Sequence, residues 1–515
     1  MFWKVRSCQS LLLHNMSANI LVGPLLGYEE GDYYTVCILA EGLTSAPTIK
    51  LSDKSKPISF VKQAGVGSSD FWRAEFKIAA GKDGTSVEYA IKGKAETFSD
   101  RHGRSKWRFY VPGKGEEPRI AYVSCNGFSS AELARDTDEP YGLWRRLAQQ
   151  QTECSEIPQQ EKPFSLLLMG GDQVYADEIW VSRRCPELQR WNELPYDQQS
   201  NAKPNAAMRA EIEAFYDWLY IDRWKDEQMS LMLSSIPSVM MWDDHDIFDG
   251  WGSYPKARQE CAVFAKVFQE AARVFDVFQL RCSTRSRLNG TANHRTLALR
   301  FRGYQILVLD NRSERTLEQI MSDQQWHDVK GWLDGTQKPP KNLIVLTAVP
   351  VVYRSFAIAE KLFEATPWHE QLEDDVQDHW SAKRHEAERM RLIMVLLNHI
   401  DRHKNRCVIL SGDVHVGALG RIWDAKRGVG LTQIISSGIV HPAPTPFEWL
   451  GIRMTTSDDP ERLAEGDVIA EMLKPLGSDQ YIRSRNFATF FTGTDDMIWV
   501  NWVCEENLKP SFGIA

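Results

Sequence analysis

LLLMGGDQVYAD, residues Leu166–Asp177, begins as an apolar run and ends in glycine, carboxylate and phenol. A run this short bounded by turn residues is a buried strand, and the Gly170–Gly171 pair lets the backbone turn sharply after it. Asp172 and Tyr175 then sit just past the strand end, where the loops of an α/β sheet converge on a ligand. The same grammar recurs to either side. YVSCNG (Tyr122–Gly127) puts Cys125 directly after the run Ile120–Val123. MMWDDHD (Met240–Asp246) ends the run Ser238–Trp242 with Asp243, Asp244, His245 and Asp246. LVLDNRSERT (Leu307–Thr316) supplies Asp310, Arg312 and Arg315 after Tyr304–Leu309, and VILSGDVHVG (Val408–Gly417) supplies Asp413 and His415 on alternate positions.

Helix-like stretches separate these runs and the further run Leu343–Thr347: Leu143–Gln151, Met208–Ser234, Glu260–Phe278, Asp323–Leu333 and His385–Ile400. Alternation of this kind predicts an α/β arrangement with largely buried strands. Phe487–Phe491 and Ile498–Val503 read as a closing hairpin. Before Arg119 the text differs. Tyr34–Ala40, Ile58–Lys62, Trp72–Ile78, Val87–Ile91 and Trp107–Val111 have strand composition, with no helical stretch between them. Trp72, Ala74, Phe76 and Ile78 alternate with Arg73, Glu75 and Lys77, the pattern of a half-buried strand. Together they predict a small β-sandwich. The expected organisation is an unstructured or non-native segment 1–17 (with Met16 as an alternative start), a sandwich over 18–112, a Pro/Gly-rich linker over 113–118 and an α/β domain over 119–515. The acidic stretch Glu360–Asp378 reads as a flap over the site.

A chain of 515 residues has room for two or three domains. A formal net charge of -8 excludes nucleic-acid binding by bulk electrostatics. The nine cysteines are scattered and show no CxxC pair, which argues against a disulfide framework and fits a reducing compartment. Lys4 and Arg6 precede only Leu11–Leu13, short of the roughly 7–15 apolar residues of a secretory signal. No stretch reaches the ~18 apolar residues of a membrane span. The expectation is a cytoplasmic protein without a membrane span, acting on a small molecule, with protein partners not legible.

The strand-end residues suit one chemistry. Two ions about 3.5–4 Å apart activate a water and clamp an in-line displacement at phosphorus. Asp172 suits the bridging position and His415 supplies an imidazole, while Cys125 and Tyr175 supply anionic ligands. Thiolate and phenolate favour a transition metal. Asp244 and Asp413 suit a harder ion such as Ca²⁺ or Mn²⁺. Arg312 and Arg315 are expected to hold the phosphoryl oxygens, and His245 to stabilise or protonate the leaving oxygen. Asp243 and Asp246 read as orienting groups, Asp310 as a strand cap, His441 as structural and Cys407 as core. Trp180, Trp251, Trp380 and Trp449 read as packing.

The order GDxxY, a His-Asp strand end, then GDxH resembles the calcineurin-like metallophosphoesterases. Cys125 in VSCNG, WDDHD, DNR-x-x-R and SGDVHVG resemble its alkaline phosphatase D (PhoD-like) branch, from about Arg119 to Gly438, and the sandwich is similar to that branch's amino-terminal domain. The resemblance implies a four-layer α/β/β/α domain preceded by an Ig-like sandwich. It implies hydrolysis of phosphomonoesters or phosphodiesters by a metal-bound hydroxide. It further implies an Fe³⁺-like ion at Cys125, Asp172, Tyr175 and His415, and one or two Ca²⁺-like (or Mn²⁺) ions at Asp172, Asp244 and Asp413. Asp244 stands where broader relatives carry Asn, and Leu343–Tyr353 offers none of the histidine they place there. No twin-arginine signal is present, which argues against a cell-wall substrate. Two other readings share these residues: a phospholipase D-like diesterase acting on lipid head groups, and a non-enzymatic metal-binding scaffold, whose mark would be missing ligands.

Overall fold

The computed structural model describes residues 19–94, 97–156, 162–354, 380, 382–464 and 467–515. The expected tail 1–17 and the acidic stretch Glu360–Asp378 lie outside these residues. At the centre three strands run parallel, Ile120–Val123, Leu166–Gly170 and Ser238–Met241, and every residue in them is buried. Leu166 pairs with Ile120 and Leu167 with Ser238. Strands covered on both faces need no polar alternation, which is why they read as continuous apolar runs.

These three form the middle of a ten-stranded sheet. On one side lie Asn486–Thr492, Ile498–Cys504 and Ser511–Ile514, antiparallel throughout. On the other, Asn19–Glu29 joins Ser238–Met241 in parallel through Gly27 opposite Ser238, and continues into Tyr33–Glu41, Ser69–Lys77 and Val61–Val66. The remaining amino-terminal strands, Ile58–Ser59, Thr48–Leu51, Thr85–Lys92 and Trp107–Val111, make a separate four-stranded sheet. The amino-terminal strands are thus divided between two sheets, and one of those sheets runs unbroken into the strands that carry the site. Ser238 Oγ reinforces the junction by donating to Leu26 O at 3.0 Å. The Pro112–Pro118 stretch is tied on both sides: Glu116 accepts from Tyr110 Oη at 2.5 Å, and Arg302 Nε donates to Pro112 O at 3.2 Å.

A nine-stranded sheet faces the other half of the site. Its parallel core is Tyr304–Val308, Asn342–Leu346, Arg406–Ser411 and Val429–Ile435. Leu297–Phe301 and Gly417–Asp424 flank it in antiparallel fashion. Helices Asp323–Gly335 and Glu386–His403 pack together, the second against this sheet, while Ala206–Arg223 and Glu227–Ser235 pack against strand Asn19–Glu29. The single helix expected over Met208–Ser234 is two, because Asp226 accepts from Gln228 N and Met229 N at 2.9 Å each and caps a new start. Ala262–Phe278 buries Val267, Val274, Phe275 and Phe278 and packs on Ala206–Arg223. Among the described residues no helix is long and apolar enough to cross a membrane.

Candidate metal centre

The carboxyl ends of the parallel strands from both large sheets point at one another. From the ten-stranded sheet come Cys125, then Asp172 and Tyr175, then Asp243–Asp246. From the nine-stranded sheet come Asp310–Arg315, Asp413 and His415, then Ser436–His441. The loops lock to each other through backbone bonds: Cys125 N donates to Gly171 O at 3.2 Å and Asn126 N to Asp172 O at 2.7 Å. Local sequence makes the close approach possible. A Cβ at Gly127 would lie 2.4 Å from the Tyr175 ring, and one at Gly171 (φ +99°) 2.8 Å from Asp243 Cβ. Four of the expected ligands are held in the left-handed region: Cys125 (φ 51°), Asp172 (53°), Asp413 (68°) and His415 (53°). Each such residue costs about 1–3 kcal/mol, a strain that concentrates at functional sites.

Three interlocking groups of potential ligand atoms result, each within 4.8 Å: Cys125, Asp172 and His415; Asp172, Asp244 and His245; Asp243, Asp244 and Asp413. Asp172 belongs to two of them, as a bridging carboxylate would. Tyr175 Oη lies 3.5 Å from His415 Nε2, and Cys125 Sγ 3.5 Å from Asp172 Oδ2. Asp172 is 1% exposed, and its Oδ1 is buried without a hydrogen-bond partner among the described residues. Burial and the charge of Asp172 push the Cys125 thiol well above its ordinary value. Burial, then Asp243 and Asp244, do the same to the Asp172 carboxyl. Burial with the imidazoles of His441 and His245 pushes His415 well below its ordinary value, leaving it neutral and able to ligate. Crowded anions that ionise only beside a positive charge, next to a neutral imidazole, fit a metal.

The surrounding groups have distinct tasks. Asp246 accepts from Gln173 N, Val174 N and Asp243 N at 2.9 Å each and so fastens the Asp172–Tyr175 and Asp243–Asp246 loops together. Asp310 accepts from Trp242 Nε1 at 2.9 Å, Arg295 N at 2.6 Å and Ser313 N at 3.0 Å, organising its loop as well as ending its strand. Arg312 is fully buried; its Nε pairs with Asp243, its Nη1 donates to Trp251 O at 3.0 Å, and its Nη2 lies 3.4 Å from Asp244. Arg315 is buried along Gly252, where a Cβ would lie 2.6 Å from its side-chain stem. Cys407, Trp251, Trp380 and Trp449 are buried, and Trp180 is half-buried against Phe248.

Three residues carry more than sequence reading assigned them. Asp177 Oδ2 is 2.8 Å from His245 Nδ1, and its Oδ1 accepts from Asp249 N at 2.8 Å. Burial alone would depress His245, but Asp177 and Asp244 outweigh it and hold the imidazole well above its ordinary value. Asp177 closes the GDQVYAD stretch, so its place two residues past Tyr175 was the available signal. His441, read as structural, stacks on His415 with ring centroids 3.6 Å apart. Ser437, which carries no sequence signal, touches two expected ligands at once: its Oγ accepts from His415 N at 2.9 Å and lies 3.1 Å from Cys125 Sγ.

With this geometry in hand, the comparisons with known proteins are specific. Residues 89–371 match the family described as PhoD related phosphatase. The match crosses the 113–118 stretch and ends before Asp413 and His415, which complete the cluster. A Saccharomyces cerevisiae chain, Uncharacterized protein YGR266W, is 27% identical over 413 residues, 68% of this chain and 56% of that one. The chain therefore spans about half the length of this curated relative. Among solved structures, that titled Structure of PhoD aligns with TM-score 0.57 at 14% identity, over 94% of this chain and 86% of the other. The purple acid phosphatase PPD1 from yellow lupin (Lupinus luteus) seeds aligns with TM-score 0.50 at 12% identity, over 96% and 74%. These two likenesses establish a shared fold, and the family match, which covers more than half of the sequence, shows that the chain belongs to the PhoD-related phosphatases.

Proposed function

We propose that the protein is a metal-dependent phosphoesterase that hydrolyses phosphomonoesters or phosphodiesters of small molecules. The observation that carries the proposal is the set of three interlocking ligand groups sharing Asp172 and Asp244, placed where strands of two sheets end. Cys125, Asp172, Tyr175 and His415 would hold one ion, an Fe³⁺-like metal by the softness of thiolate and phenolate. Asp172, Asp244 and Asp413 would hold the harder one, Ca²⁺ or Mn²⁺, with Asp243 within reach. Such ions, when bound, supply an activated water and neutralise charge on the phosphoryl oxygens. The donor set, complete but for the histidine that Leu343–Tyr353 does not supply, argues for an enzyme over a metal-binding scaffold. We assign Arg312 to offset the Asp243 and Asp244 charges, since its guanidinium is already engaged there, and leave the phosphoryl oxygens to Arg315. His245, positioned through Nδ1 by Asp177, faces the leaving oxygen and hydrogen-bonds or protonates it. Residues 18–112 we take as a sandwich that braces a four-layer catalytic part over 119–515. The unpaired Cys125 suits a reducing, cytoplasmic setting.

One observation favours a lipid-linked substrate as the second reading. The helix Pro446–Thr455 follows the His441 loop and exposes Phe447 (84%), Leu450 (53%) and Met454 (72%) on one face. Turnover of aryl phosphate, bis-aryl phosphate and a short-chain phospholipid by purified protein separates the three substrate classes. Asp172→Asn is expected to lower every detected activity by at least roughly 100-fold while the protein stays folded. Unchanged turnover in that variant would overturn the proposal.

A further inference from the structure

The turn Ser436–His441 is wrapped around Cys125. Ile439 N donates to Ser124 O at 3.1 Å, and His441 N and Val440 N donate to Cys125 O at 3.1 and 3.3 Å. Gly438 (φ +83°) makes the wrap possible, since a Cβ there would lie 2.4 Å from His441 O. Ser437 is therefore held rigidly, with no exposed surface. Its Oγ accepts from His415 N at 2.9 Å, so its own proton is free to be donated. The other polar atom against this hydroxyl is Cys125 Sγ, at 3.1 Å, and as a thiolate that sulfur can only accept. Ser124 also approaches the sulfur, at 3.5 Å, but its hydroxyl donates to Ser436 O at 2.9 Å. Of the two serines, donor accounting leaves only Ser437 with a proton for the sulfur.

We infer that Ser437 is a positioning residue of the metal centre, donating a hydrogen bond to the Cys125 thiolate while fixing His415 through its backbone. This rests on the proposed metal site and adds to it a group that ligates nothing itself. A hydrogen bond to a ligating sulfur withdraws electron density, lowers the energy of the sulfur lone pairs and thereby tunes the bound ion. Because the same hydroxyl also receives His415 N–H, losing it loosens two ligands of one ion together.

The test uses the whole 515-residue chain stripped of metal and titrated with Co²⁺, whose thiolate charge-transfer band reports on the sulfur directly. Ser437→Ala is expected to move that band to lower energy and to weaken Co²⁺ binding by roughly 10–100-fold. Ser437→Thr, which keeps the hydroxyl, is expected to restore the wild-type band, and Ser124→Ala to leave it in place. Where the alanine variant fails to fold, Ser437→Gly reads the same loss. An unmoved band in the hydroxyl-free variant, or an equal shift in Ser124→Ala, overturns this inference alone. A wild-type protein that shows no thiolate band overturns the metal-site reading beneath it.

Discussion

Cys125, Asp172 and His415 differ in what a proton means to each. Burial and neighbouring charge favour the protonated forms of the first two, while burial and nearby imidazoles keep the third neutral. A metal entering this set must displace protons from Cys125 and Asp172, and its affinity therefore rises with pH. Calorimetric titration in buffers of different ionisation enthalpy is expected to detect proton release on metal binding, and the release should shrink in Cys125→Ser. Asp413 shows a second residue-scale effect. Its φ of 68° lies where a Cβ is disfavoured. In metal-free protein, Asp413→Gly is expected to be more stable than Asp413→Ala by about 1 kcal/mol, read by denaturant unfolding. Equal stabilities would mean that the loop relaxes away from this conformation. At this scale the sequence was informative wherever a chemically unusual residue followed an apolar run. Cys125, Asp172, Tyr175, Asp244, Asp413 and His415 all reach the same centre. Ser437 was not legible, because the serine pair Ser436–Ser437 after a strand does not say which hydroxyl meets the site, and its proposed role depends on a turn closing over a residue 312 positions away.

Among the elements, the strand Leu166–Gly170 and the turn after it matter most. All five strand residues are buried, and Gly171 then turns at φ +99° against Asp243. Gly171→Ala adds a Cβ 2.8 Å from Asp243 Cβ in a conformation that alanine resists. It is expected to destabilise the protein by about 1–3 kcal/mol and to displace Asp172, so thermal unfolding and metal content should fall together. Wild-type values for both would contradict the packing described. Helix and strand placement was largely legible here, since buried parallel strands and amphipathic helices write distinct periods. The break near Asp226 was hidden inside a continuous helical pattern and turns on a cap, which periodicity does not register. The Arg312 pairing with Asp243 was equally hidden, because an arginine beside a strand end reads the same whether it faces substrate or carboxylate.

For the whole molecule, the candidate centre lies between two large sheets, with potential ligand residues drawn from both. The amino-terminal strands share a sheet with the site-bearing ones through Asn19–Glu29, so the two regions are mechanically joined at Gly27 and Ser238. Sequence alternation predicts strands but not which sheet they join, and that junction rests on one register between segments more than 200 residues apart. Asp172 belongs to two of the three candidate ligand groups, and we propose that it bridges a metal pair. Elemental analysis of the purified protein, set beside Asp172→Asn, is the decisive measurement. The expected result is about two metal equivalents per chain in the wild type, one of them a transition metal, and loss from both positions in the folded variant. A wild type without bound metal, or an Asp172→Asn protein that retains the full complement, would contradict it.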